Sequence, residues 1–204
     1  MKSLLLRRRV YAGVSEIIPY QRISYIYVDY DRNHYIDFPI NVNAGDYFEV
    51  GGTISFGAGS GCLYFMNNQY SNTQFRAVAS SGLQTYVGTK TAVGDVSGLI
   101  PYSTSEKMSI AVSTTFIKKN DVETSILRPI TQGVSGFRLF GGSSSPSWSC
   151  RTYLYDFYIK KNNSVIYDLV PVRIGTTGYL YDKKSKQIFA NGGSGSFVLG
   201  PDIE

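Results

Sequence analysis

Along most of the chain apolar and polar residues alternate with a period of two. The clearest stretch is 48–56, where Phe48, Val50, Gly52, Ile54 and Phe56 fall on one side. Tyr47, Glu49, Gly51, Thr53 and Ser55 fall on the other. That is the pattern of a strand with one face in a core. Met108, Ile110, Val112, Thr114 and Phe116 repeat it against Lys107, Ser109, Ala111, Ser113 and Thr115. So do Tyr153, Tyr155, Phe157 and Ile159 against Leu154, Asp156, Tyr158 and Lys160. Shorter strands are predicted at 62–66, 74–78 and 83–87, punctuated by Gly, Ser and Asn, with a further strand opening at Phe137. Segments 23–28 and 34–38 flank a polar turn at 29–33 and predict a hairpin. Residues 118–132, with charge, Asn120 and Pro129 but no steady period, predict a loop. No helical period longer than a turn or two is present. The chain therefore reads as all-β, a two-sheet antiparallel β-sandwich.

Composition agrees with this reading. The 204 residues are 43% hydrophobic, with 17 Tyr, 11 Phe and 21 Gly, a content suited to pleated surfaces and tight turns. This size fits one sandwich domain, assigned to 20–204, preceded by an extended arm over 1–19. The net charge of +5 is gathered at the ends: Lys2 and Arg7, Arg8 and Arg9 first, then Lys160, Lys161, Lys183, Lys184 and Lys186 beside polar turns. It forms no basic stripe, which argues against nucleic acid as the partner. Leu4, Leu5 and Leu6 are too short an apolar run for an export signal, and no stretch approaches a membrane span. In the arm, Arg7, Arg8, Arg9, Tyr11, Ile17 and Ile18 offer charge and apolar anchors for docking, and a solvated terminus is the equal alternative. Cys62 and Cys150 belong to no CxxC or Cys/His cluster; two buried thiols are expected, and a single bridge between them stays open.

The last third carries a more specific signal. FRLFGG at 137–142 is followed from 151 by RTYLYDFYIKKNNSVIYDLVPVRIGTTGYLYDKKSKQIFANGGSGSFVLGPD. This resembles the C-terminal signature of concanavalin A-like, laminin-G-type jelly rolls in phage structural proteins and gut-bacterial surface proteins. The N-terminal counterpart of that pattern is matched by Tyr25-Ile26, Tyr35-Ile36-Asp37 and Glu49-Val50. The resemblance frames 23–201, with 57–136 matching by strand character alone. The opening MKSLLLRRR is similar to the starts of phage- or prophage-encoded proteins. The residues that carry the resemblance have folding roles: Gly192, Gly193 and Gly195 permit a turn with positive φ or close approach, Pro171 marks an edge or bulge, and Phe189 and Phe197 seat in the core.

Catalytic chemistry is poorly supplied. His34 is the one histidine, and no nucleophile elbow accompanies it. Asp37, Glu49, Glu106, Asp156 and Asp168 are scattered, at most one to a strand, which does not suit a glycosidase pair. No cofactor is expected. Asp29, Asp31 and Asn33 space oxygens at i, i+2 and i+4 and make calcium the one alternative to an ordinary polar turn. Sugar recognition needs exposed aromatic faces beside amides, which makes the loops holding Trp148 and Asn67, Asn68 and Tyr70 candidate platforms, with packing of Trp148 over a sheet edge as the alternative. The resemblance implies a non-catalytic phage virion component, a head-fibre, decoration or tail-adhesion protein, synthesised in the host cytoplasm. It would dock on other virion proteins through its arm, self-associate through tyrosine-rich strands and meet a host surface glycan. The alternative is a carbohydrate-binding module of a gut-bacterial surface system.

Overall fold

The structure, a computed structural model, describes residues 20–28, 34–57, 62–67, 73–78, 82–87, 106–140 and 151–203. From 62 to 87, its side-chain description covers Leu63, Phe65, Phe75 and Ala77. Among the described residues there is no helix, and every paired strand is antiparallel.

Two sheets form a β-sandwich. The chain enters the larger through β1 (Gln21–Arg22) and β2 (Ile26–Val28), then crosses to the smaller as β3 (Ile36–Val42). It returns as β4 (Phe48–Phe56) and builds the smaller sheet with the meander β5 (Cys62–Asn67), β6 (Thr73–Val78) and β7 (Gly82–Val87). Next come β8 (Met108–Ser113), β9 (Phe116–Lys119) and β10 (Val122–Ser125) in the larger sheet, and β11 (Val134–Leu139) in the smaller. The larger sheet is completed by β12 (Thr152–Lys161), β13 (Ser164–Ile174), β14 (Thr177–Asp182), β15 (Ile188–Phe189) and β16 (Val198–Leu199). Its order is β10-β9-β8-β4-β12-β13-β14-β15, with β2 joined to β12 and β16, and β1 to β13. The smaller runs β3-β11-β5-β6-β7.

The core lies between the sheets. Phe48 of β4 stacks on Phe137 of β11 with centroids 5.1 Å apart, Phe65 of β5 stacks on Phe137 at 5.2 Å, and Phe157 of β12 meets Phe65 at 5.6 Å. All four rings are at most 1% exposed, and each such ring removed from water contributes about 1.5–3 kcal/mol. The alternation along β4 is realised as read: Phe48, Val50, Ile54 and Phe56 are buried in the core.

Four local readings are corrected. The segments 23–28 and 34–38 do not form a hairpin: β2 pairs with β12 and β16, whereas β3 pairs with β11 in the other sheet. Each strand is one-sided, so the two bury their apolar residues from opposite layers. The run 108–116 is two strands. Its polarity continues unbroken through the turn, but Ser113 Oγ accepts the N–H of Thr115 and of Phe116 and donates to the Phe116 carbonyl, folding β9 back on β8. The expected loop 118–132 begins with the β9–β10 hairpin, whose residues Val122–Ser125 are all exposed and so lack an apolar period. Finally, the alternation along β12 breaks at Tyr155, where the register against β4 shifts between Leu154 and Asp156. An extra residue on one strand reverses facing. Leu154 therefore joins Phe157 and Ile159 in the core, and Tyr153 and Tyr155 do not.

The C-terminal signature builds turns and seams. Asn162 and Asn163, at φ 49° and 63°, join β12 to β13 in a conformation that asparagine tolerates. Pro171 lies at the seam where the neighbour of β13 changes from β12 to β1; its carbonyl accepts the Ile23 N–H at 3.3 Å. Asp182 is fully buried and accepts the N–H groups of Asp168, Lys184 and Ser185 at 2.8, 3.2 and 2.9 Å. Burial pulls its carboxyl pKa upward, and these hydrogen bonds outweigh that, leaving it below the ordinary value. Of the three turn glycines, Gly195 has φ 77°, and at Gly192 a Cβ would stand 2.3 Å from the Tyr35 ring. Phe197 is buried and Phe189 packs on Phe38 at 4.8 Å. The two ends of the sandwich meet: Ile23 bridges Asp202, and Val198 and Leu199 pair with Tyr27 and Ile26.

Candidate functional site

The bulge at Tyr155 has a chemical consequence on the face of the larger sheet turned away from the core. Tyr27, Tyr153 and Ser55 stand side by side in register across β2, β12 and β4. The Tyr27 and Tyr153 rings are 4.4 Å apart, and Tyr25 packs edge-on against Tyr153 at 5.0 Å and Tyr155 at 5.7 Å. The Tyr155 hydroxyl shares a 3.1 Å hydrogen bond with Ser55 Oγ, and Lys107 Nζ sits 4.1 Å above the Tyr155 ring. Asp156 Oδ1 accepts the Thr53 N–H at 2.9 Å, satisfying an amide beside the irregularity. The four tyrosines are half-buried, each ring keeping part of its surface in solvent.

Further along the face, Gly51 and Ala111 lie opposite each other and leave a gap in the side-chain layer. The Tyr158 ring fills it: a Cβ on Gly51 would lie 2.6 Å from Tyr158 Cζ. So placed, the Tyr158 hydroxyl donates to Glu49 Oε1 at 2.6 Å, Lys160 Nζ donates to the same oxygen at 2.9 Å, and the Tyr47 hydroxyl donates to Oε2 at 2.5 Å. Glu49 is 4% exposed. Burial alone raises its pKa, but the two phenols and the ammonium outweigh it and hold the carboxyl below its ordinary value. Burial, and then the adjacent carboxylate, push both phenol pKa values up. The cluster therefore holds one anion and two protonated phenols around neutral pH. It suits anchoring of the tyrosine layer better than proton transfer, which needs a group poised near the working pH.

At the other end of the face Val170, Val172 and Tyr181 form a separate buried cluster under Tyr20 and Tyr179, with Tyr20 edge-on to Tyr181 at 5.7 Å. Away from this face, an open depression of about 390 Å³ at the rim is lined by Pro39, Asn41, Lys161, Tyr167 and Gln187 among others. Its ammonium is already engaged, Lys161 Nζ donating to the Asn41 carbonyl at 2.8 Å and pairing with Asp46 at 3.1 Å.

Arg7, Arg8, Arg9, Tyr11, Ile17 and Ile18 of the arm, Asn68, Tyr70 and Trp148 of the loops, Asp29, Asp31 and Asn33 of the calcium alternative, and Cys150 lie outside the described residues. Asn67 ends β5, in register with Phe137, and Cys62 begins that strand. His34 is buried, its ring 5.1 Å from that of Phe197. The acids are dispersed: Asp37 pairs with Arg138 at 2.8 Å, Asp168 with Lys183 at 2.6 Å, and Glu106 is exposed. Among the described residues no group of three or more His, Cys, Asp or Glu is placed to hold a metal ion, and no helix is long and apolar enough to cross a membrane.

The tyrosine face was not assigned by the sequence reading, although the signal was there: tyrosines at i and i+2 in 25–27 and in 153–155. The bulge that turns the second pair outward has no residue signature of its own. No family model, curated protein or solved structure matches this chain.

Proposed function

We propose that the chain is a non-catalytic virion component of a gut-bacterial phage, a head-fibre, decoration or tail-adhesion protein built on a concanavalin A-like jelly roll. In this reading 1–19 docks on the particle, and the sandwich is displayed and meets a host surface glycan. The observation that carries the binding part is the half-exposed array Tyr25, Tyr27, Tyr153 and Tyr155 beside the Lys107 ammonium. Sugar rings pack their C–H faces on aromatic rings, while their hydroxyls need donors and acceptors at the edge of the platform. A binding rather than a catalytic role is supported by Glu49, whose two oxygens already receive Tyr47, Tyr158 and Lys160. The phage setting rests on the resemblance of 137–201.

The same tyrosine array favours a second reading, a carbohydrate-binding module of a gut-bacterial surface system. Mass spectrometry of purified phage particles separates the two: the chain is present in particles under the first and absent under the second. Glycan-array binding by the wild-type chain, lost in Tyr153→Ala, tests the platform under either reading. Wild-type binding that Tyr153→Ala leaves unchanged would move recognition to the loops of Tyr70 and Trp148.

A further inference from the structure

The strand β10 ends one side of the larger sheet, and among the described residues nothing covers it. Val122, Glu123, Thr124 and Ser125 are all exposed, Val122 to 58%, and Leu127 just beyond the strand to 76%. In an antiparallel pair successive residues direct their backbone groups to alternate sides. Val122 is in register with Lys119 and Thr124 with Ile117, and the Ile126 N–H donates to the Thr115 carbonyl at 2.7 Å, so these residues turn their backbones inward to β9. The N–H and C=O of Glu123 and Ser125 consequently point outward.

Edge strands are usually blunted by a proline, a bulge, lysines or a covering segment. Among the described residues β10, a four-residue strand of sequence VETS, has neither proline, lysine, bulge nor cover; its one charge is Glu123, and its register against β9 runs without a shift. We infer that β10 is a pairing edge for a second copy of this chain, joined antiparallel about a two-fold axis at Thr124 so that two larger sheets become one. In that register Glu123 and Ser125 exchange backbone hydrogen bonds with Ser125 and Glu123 of the second copy. Thr124 faces its own equivalent, a favourable cross-strand pair.

The charge pattern selects this register. A slip that centres the axis on Glu123 sets two carboxylates directly opposite, which is destabilising. A slip that centres it on Ser125 brings Arg128 against Val122. With Thr124 at the axis, Glu123 meets the small neutral Ser125 and keeps Lys118 of its own β9 as its cross-strand neighbour. Val122 then meets Ile126 of the second copy. Thr124 is in register with the fully buried Ile117, and Ile126 packs on the core, so these apolar pairs extend the core layer across the junction. An isologous contact of this kind closes at two copies.

The experiment reads association alone, so neither absence from phage particles nor lack of glycan binding bears on its outcome. The wild-type chain is expected to sediment as a dimer. Ser125→Pro removes an outward N–H and no intrachain hydrogen bond, and is expected to sediment as a monomer with its melting temperature unchanged. Thr124→Cys is expected to give a covalent dimer on mild oxidation, because facing residues of a non-hydrogen-bonded pair lie within disulfide reach. Glu123→Cys should give much less, with the wild type measuring any background from the native cysteines. A monomeric wild type, a Ser125→Pro variant that stays dimeric, or cross-linking at 123 equal to that at 124 would each overturn the inference.

Discussion

The Tyr158 ring occupies the space that a side chain on Gly51 would need, with Cζ 2.6 Å from the position of the absent Cβ. The Ile110 carbonyl oxygen lies 2.5 Å from that same position, so neither neighbour can yield easily. Gly51→Ala is expected to lower stability by about 1–3 kcal/mol, the usual range for overpacking. Urea unfolding measures the loss. A Gly51→Ala,Tyr158→Phe double variant tests whether the two residues are coupled, since removing the hydroxyl frees the ring to move.

Glu49 gives the face a pH dependence. Its folded carboxyl titrates below its ordinary value, so the stability it contributes is fully present above the unfolded pKa of about 4.3 and is lost as pH falls through the lower folded value. Glu49→Gln should cost about 1–3 kcal/mol at pH 7. The gap between wild type and variant should narrow below about pH 4.3. Unfolding free energies of both proteins between neutral and acid pH check the sign: a gap that widens on acidification is the opposite outcome.

Asp182 serves the turn after β14 in the same way, through backbone amides rather than side chains. Asp182→Ala removes the acceptor of three partly buried N–H groups, and a loss of about 1–3 kcal/mol is expected from leaving such donors unmet. Asp182→Asn keeps one acceptor oxygen and should recover part of that. Thermal unfolding of the pair distinguishes hydrogen bonding from simple side-chain bulk.

Tyr153 stands between Tyr25 and Tyr27 on the outer face. Removing its ring should cost about 1 kcal/mol of stability, the scale of an aromatic contact. The proposed glycan affinity should fall by about tenfold or more, equivalent to 1.4 kcal/mol. Calorimetry with the best array ligand, alongside a melting curve, separates loss of the platform from loss of the fold.

How far these features could be read from the sequence depended on whether they were local. The period of two along 48–56 was sufficient for β4, because one face meets a continuous core. It failed along 152–161, where an ordinary strand-former, Tyr155, is the extra residue and only the partner strand reveals it. It failed again for β10, since a strand exposed on both sides has no apolar period, although Asn120-Asp121 was an available turn signal. The Glu49 cluster was hidden for another reason. Its donors Tyr158 and Lys160 come from β12, brought alongside by a pairing that composition does not encode. The all-β class and two-sheet plan were legible; which strands became neighbours was not.

The second and the last described strands of the sandwich hold each other, β2 lying against both β12 and β16 while Ile23 bridges Asp202. On a ribosome, then, the N-terminal strands have to wait. Ile26 has no Leu199 to pair with until residue 199 has emerged, and closure over so long a span is intrinsically slow. Until residues 198–199 arrive, the nascent sandwich keeps an unpaired edge along β2.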